Sequence, residues 1–405
     1  MYQMLRGKNE GLSGDAISLA SRLVAEKSVS LHEEAAATLV EKEMRSLGYD
    51  HVSRDGAGNI IGVMYGRNQN KTVLLTSHLD TVSPDEEDSW SSNPFSGEIS
   101  DGRIHGIGSS DCKGGLAAQV YSAALLRRSM LPMDGNIVVA ATVAEQNGLS
   151  LGTRYLLSES LPQLRLVPNF AVLGEPTDLG VYYGHDGWVE MEVKLEAANS
   201  FAMEDAVNVV AEELSNAYAG QASGSFELDK PRFRVSGEGH SATIGLRGKL
   251  YHSDRPEDLV GSMERRVLAA AKSTGHVAVS ANLKTEELRF YTGRTAAAQY
   301  ASKAWQTDPF HPFIRRACEA LSAAGCDARP GRWMLRKPGM GTAGTVFLDE
   351  YKIPVIGYGP GREEMAHSAD EWVETRKIAE AVFGNAVILH AMAGVPVCGW
   401  TLDEI

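Results

Sequence analysis

Three short apolar runs in the first half of the chain each break into polar residues at their C-terminal ends: TVLLTSHLD (72–80), IVVAATVAEQ (137–146) and FAVLGEPTD (170–178). Runs of this length, rich in β-branched residues and leucine and bounded by turn residues, read as strands buried on both faces. The helical stretch KGGLAAQVYSAALLRRS (113–129) lies between the first and second. Buried strands joined by helices are the grammar of a mostly parallel sheet with flanking helices, and such sheets collect ligands at the carboxyl ends of their strands. The expected fold is therefore α/β, with a site where His78, Asp80, Glu145 and Glu175 emerge.

A chain of 405 residues exceeds one ordinary core, and the pattern changes where a second would begin. Residues 12–49 carry helical periodicity over two segments, closed by Gly48. From about Trp188 the order becomes strand, helix, two strands, helix, strand. This βαββαβ unit has the length of a small α+β domain. We expect it to be an insertion over 187–292, splitting an α/β domain into 1–186 and 293–405. After it come the helix HPFIRRACEALSAAG, the strand IPVIGYG and a last helix from Arg376 to about Ala393.

A net charge of −13 gives no broad basic surface for nucleic acid or an anionic membrane. No run approaches a membrane span and the N-terminus lacks a signal-peptide core, so a cytoplasmic protein is expected. Cys112, Cys318, Cys326 and Cys398 are scattered without a CxxC, which suggests free thiols.

His78, Asp80, Asp111, Glu145, Glu175 and His367 form the ordered set that carries chemistry. Imidazole and carboxylate donors from separate strand ends suit zinc or another borderline divalent ion. Each alone has a plainer reading, as a hydrogen-bonded core histidine or a helix cap. Their joint occurrence is what favours a metal site.

The segments SHLDTV (77–82), GRIHGIGSSDCKGGLAA (102–118), ATVAEQNGLSLGTRYLL (141–157), LGEPTD (173–178) and GYGPGREEMAHSADEWV (357–373) resemble the M20 family of metallopeptidases and deacylases over nearly the whole chain. GTAGTVF (341–347) and YTGRTAAAQYASKAW (291–305) look like its YgeY-type hydrolases. The resemblance implies a zinc-peptidase-like domain, an inserted lid or dimerisation domain, and one or two Zn2+ ions (or Co2+ or Mn2+) per chain. It implies that His78, Asp111 and Glu175 hold one ion, that Asp80 orients His78 through its other ring N–H, and that Asp111 and His367 hold the second. A cis peptide at Asp111–Cys112 and Glu145 as general base for amide hydrolysis are implied as well. The substrate would be an N-acyl amino acid or small peptide, and the assembly a homodimer.

Three positions depart from the family. Gln146 stands where a second glutamate would ligate the Asp111/His367 ion, so that site is expected to be weak or empty. Asn199 is the nearest match to the lid histidine with which the family polarises the scissile carbonyl in a neighbouring subunit, and it could still donate a hydrogen bond; His185 and His240 lie close enough in sequence to substitute, or are surface residues. Ala343 replaces a polar residue. These changes leave two rivals to hydrolysis open: acyl transfer, amide formation or a lyase-type step in a specialised pathway, and a non-catalytic binding protein. Arg247 and Arg294 are candidate clamps for a substrate carboxylate, or solvated lid residues. Cys112 occupies a position that suits packing better than redox chemistry.

Overall fold

A computed structural model describes residues 1–69, 71–84, 89–146, 149–197, 199–219, 226–228, 232–236, 239–274, 277–335 and 339–395. Its central feature is a nine-stranded sheet whose inner strands, Asn136–Thr142, Thr72–His78, Phe170–Leu173 and Val355–Gly357, are mutually parallel. Ile60–Met64, Val181–His185 and Pro330–Trp333 run against the rest at the margins. The sheet is mostly parallel and the class α/β.

Alternation along each inner strand builds two cores at once. Val73, Leu75, Val139 and Ala141 join one apolar cluster, with residues of helices Ser13–Ala25, Glu34–Ser46, Gly114–Ser129 and Thr375–Ala393. Leu74, Val138, Ala140 and Ala171 point the other way, into a cluster with Leu161, Trp305, Trp333 and Phe347. Side chains of period two that are apolar on both faces require exactly such cover on each side. The N-terminal helical region holds an additional helix, Tyr2–Glu10, anchored by Leu5.

Register sets the site. Thr76 pairs with Leu173 and His78 with Thr142, so the polar residues that follow the three strands leave the sheet at one edge. Helix Gly114–Ser129 packs tightly behind them at Gly115, where a Cβ would stand 1.8 Å from the Gly174 carbonyl oxygen. Only glycine permits that approach.

A second sheet, Phe226–Leu228, Gly239–Leu250, Gly187–Ala197 and Val277–Leu283 in spatial order, is antiparallel, and Arg232–Ser236 also pairs with Gly239–Leu250, so three strands rather than the expected two lie between its helices. Helices Ser200–Ala219 and Pro256–Ala271 supply Val207, Val210, Met263 and Val267 to its own apolar cluster with Val193, Leu195 and Ile244. The chain leaves this sheet at Leu283 and forms the hairpin Thr285–Arg289/Thr295–Gln299. It touches the sheet again at Ala301–Ser302 before joining the large one at Trp305–Gln306. Among the described residues no helix is long and apolar enough to cross a membrane. Cys112, Cys318 and Cys326 are free thiols, while Cys398 lies outside the described residues.

Candidate metal centre

His78 ends its strand, and Glu145 and Glu175 follow theirs at the same edge. Asp111 comes from the loop before helix Gly114–Ser129, and His367 from the loop after strand Val355–Gly357. Buried carboxylates hold these loops. Glu371, 1% exposed, accepts the main-chain N–H groups of Gly108, Ser110 and Asp111 at 3.0, 2.8 and 3.0 Å. Burial, then the charge of Asp111, pushes its carboxyl up to about 7. The Asp111–Cys112 peptide is cis. Ser110 Oγ donates to the Arg362 carbonyl and accepts the Arg362 N–H, tying the Asp111 loop to the chain leading into His367.

The loop after Thr142 is held the same way. Glu33, fully buried, accepts N–H groups from Leu31 and Ala144, and the Asp80 carboxylate accepts those of Glu145 and Gln146. Ala144 and His367 have positive φ, 50° and 56°, in a region that residues bearing a Cβ seldom adopt. Such strain persists only where surrounding contacts over-determine it, as these buried acceptors do.

The centre itself is a concentration of acid around one nitrogen. His78 Nε2 lies 3.5 Å from Asp111 Oδ1, 3.9 Å from Glu145 Oε2 and 3.9 Å from Glu175 Oε2. It is buried with no hydrogen-bond partner among the described residues. Ligand atoms of His78, Asp111 and Glu175 lie within 4.8 Å of one another. Burial, joined by the charges of neighbouring carboxylates, pushes Glu145 up to about 8 and Glu175 well above the usual range. An orphaned imidazole nitrogen amid carboxylates that repel one another is the donor set that a divalent cation satisfies. On the far side of Asp111, Oδ2 is 3.1 Å from His367 Nε2. Gln146 lines the same narrow cleft, where its amide offers a neutral oxygen. The donors of His78, Asp111 and Glu175 thus fit a divalent ion, and Asp111, His367 and Gln146 are the residues that could hold a second.

Other expected residues fall differently. The His78 Nδ1 partner is the main-chain carbonyl of Asp80 at 2.7 Å; the Asp80 carboxylate stands 3.7 Å away and is engaged with the 145–146 backbone. Asn199 is exposed and caps helix Ser200–Ala219, its Oδ1 accepting the Ala202 N–H at 2.9 Å, so within this chain it does not reach the cleft. Arg247 lies in the second sheet against Glu190, which also takes Lys284. Arg294 sits on the hairpin, outside the cleft lining. Ala343 is buried in the apolar cluster with Trp305 and Trp333, leaving Gly341 and Thr342 to line the cleft. Of the two candidate substitutes, His240 sits in the second sheet while His185 lines the cleft. His185 packs edge-on against Trp333, and burial lowers its imidazole to about 4, keeping it neutral. Cys112 is fully buried beneath His78, its thiol pushed up to about 12 by burial, as packing requires.

Sequence reasoning missed Glu33 and Glu371 as the acids that hold the loops. Glu371 lies within the SADEWV stretch, where a charged residue beside a tryptophan gives no sign of burial. Glu33 begins a helix and reads as an ordinary first-turn acid.

A model of peptidase family M20/M25/M40 matches residues 74–392. Uncharacterized protein YgeY of Escherichia coli strain K12 is 25% identical over 391 residues, covering 91% of this chain and 92% of that protein. A succinyl-diaminopimelate desuccinylase of Cereibacter sphaeroides is 32% identical over 165 residues, 40% of this chain and 43% of its own. Among solved structures, the di-peptidase Dug1p from Saccharomyces cerevisiae superimposes with a TM-score of 0.71 at 14% identity, covering 96% of this chain and 98% of that one.

Proposed function

The chain belongs to peptidase family M20/M25/M40, a family of peptidase- and deacylase-like hydrolases, and on that premise we propose that it cleaves the amide bond of an N-acyl amino acid or small peptide with Glu145 as general base. The observation that carries this reading is the buried His78 Nε2, unpartnered among the described residues and facing the carboxylates of Asp111, Glu145 and Glu175. His78, Asp111 and Glu175 would hold one Zn2+ ion, or Co2+ or Mn2+, and Asp111, His367 and Gln146 a weaker second. A bound ion supplies Lewis acidity, making water more acidic and polarising the substrate carbonyl.

The protein's own groups do the rest. Glu145 accepts the Ser150 hydroxyl at Oε1, 3.2 Å away, which leaves Oε2 to take a proton from water and return it to the departing amine. The Asp80 carbonyl fixes the His78 ring so that Nε2 faces the acids. We further propose that the enzyme is cytoplasmic, that 187–292 is an inserted lid domain, and that two copies pair through the strand Val277–Leu283, which among the described residues has one neighbour within its sheet.

Elemental analysis beside hydrolysis of an N-acyl amino acid panel tests the reading. Glu145→Gln should keep its metal and lose turnover by about a thousandfold or more. Unchanged turnover in that variant, or full activity in chelated protein, would contradict it. Gln146 supports a second reading: a mononuclear enzyme that makes or transfers an amide. It predicts one ion per chain, no hydrolysis of the panel, and Glu145-dependent turnover of a pathway-specific acyl donor.

A further inference from the structure

A second cavity, of about 350 Å³, lies between the segment Leu151–Ser158 and the hairpin that spans 285–299. It shares no lining residue with the metal-centre cleft. Both of its charged lining residues, Arg154 and Arg294, are guanidinium groups, joined by the Ser158 hydroxyl and the Tyr155 ring. Leu151 and Phe290 give it apolar walls.

The two guanidinium groups are placed rather than loose. The hairpin tip is fastened to the 55–59 turn: Tyr291 Oη donates to the Gly58 carbonyl at 2.8 Å and Thr292 Oγ1 to the Gly56 carbonyl at 2.7 Å. Arg294 lies over Gly56, where a Cβ would stand 2.7 Å from its Nε, and its guanidinium carbon is 5.6 Å from the Tyr155 ring centre. Arg154 is steadied by the Leu149 carbonyl, 3.3 Å from Nε, and by an ion pair with Glu350. Arg294 has no carboxylate partner among the described residues. The nearby Asp55 carboxylate is occupied by the N–H groups of Ala57, Gly58 and Asn59 and by the Ser160 hydroxyl.

We propose that this cavity binds a small organic anion, a carboxylate or a phosphoester, with its acidic group on Arg294, Arg154 and Ser158 and its apolar part against Leu151 and Phe290. A guanidinium fork with no protein acid to pair with offers two parallel donors to either group. The volume falls within the range of small-ligand sites.

The test is isothermal titration of the metal-loaded full chain with benzoate and, separately, with phenyl phosphate. At least one probe should bind saturably, and the tighter of the two names the source of the acidic group. Arg294→Gln should weaken that binding about tenfold or more, and Arg294→Lys by less, because an ammonium keeps charge without the fork. Both variants should keep their metal content and thermal midpoint, since the Arg294 side chain lies outside the cleft lining and makes no hydrogen bond or ion pair among the described residues, while its carbonyl, which accepts the Phe290 N–H, is unaltered by substitution. Arg154→Gln provides an independent check from the opposite wall, again with weakened binding. Affinities for both probes that are the same in parent and Arg294→Gln protein would overturn the proposal, because any binding would then be at the metal centre. So would the absence of saturable binding up to about 20 mM.

Discussion

Glu371 offers the sharpest test of how the centre is built, because one carboxylate holds the Asp111 loop through three buried main-chain N–H groups. Replacing it with alanine leaves those donors without acceptors. An unsatisfied buried polar group costs about 1–3 kcal/mol, and partial entry of water reduces the sum, so a loss of about 3–6 kcal/mol is expected. That is a large share of the roughly 5–15 kcal/mol that holds a typical domain together. Glu371→Gln keeps an acceptor but gives up its charge, so about 1–3 kcal/mol should suffice. Urea unfolding followed by circular dichroism measures both. The glutamine variant, which should still fold, then reports on function: Asp111 would be less firmly presented, and metal affinity should fall about 10–100-fold by competition with a fluorescent chelator. An alanine variant within about 1 kcal/mol of the parent would refute the claim that this carboxylate anchors the loop. A stable glutamine variant with unaltered metal affinity would break the link between the anchor and the ion.

Three further outcomes follow from the geometry. Gln146→Glu restores an anionic donor beside Asp111 and His367, and elemental analysis should show bound metal rising toward two ions per chain; no rise would mean that Gln146 does not limit the second site. Asn199→Ala removes the cap of helix Ser200–Ala219 and should cost about 1 kcal/mol in urea unfolding with turnover little changed. A hundredfold fall in turnover at unchanged stability would instead show that Asn199 acts in a partner's cleft. Cys112, buried and with its thiol near 12, should stay unmodified by a thiol reagent at pH 8 in folded protein while Cys318 and Cys326 react, as peptide mapping would show.

The layers of the fold were legible because the signals behind them are local. Thr72–His78, Asn136–Thr142 and Phe170–Leu173 each carry their burial in their own composition, and the alternation of strands with two helices could be read from the change in periodicity near Trp188, although the short strand Phe226–Leu228 between those helices was not. Two features were not visible in that way. The marginal strands that make the large sheet mixed, such as Pro330–Trp333, are short and contain proline or glycine, so their pairing depends on a neighbour distant in sequence. The hairpin over 285–299 is polar and alanine-rich, and its placement comes from the tip docking on Gly56 and Gly58.

At the site, strand-end residues could be read and their supports could not. His78, Asp111, Glu145, Glu175 and His367 converge because parallel register brings strand ends level, a consequence of the pattern that first suggested the sheet. What each atom does then depends on partners that no spacing reveals. Asp80 meets His78 through its carbonyl because its carboxylate is already committed to the backbone of Glu145 and Gln146, which are 65 and 66 residues away in sequence. Arg294, Asn199 and Ala343 look equally suited to a cleft on paper, yet a hairpin, a helix start and an apolar cluster claim them. His185 moves in the opposite direction: one residue of a marginal strand, it is turned into the cleft by packing on Trp333, itself on the antiparallel side of the sheet. The polar groups that converge at the candidate centre were therefore predictable from the backbone's direction, while those that line the rest of the cleft were settled by side-chain packing between segments far apart in the chain.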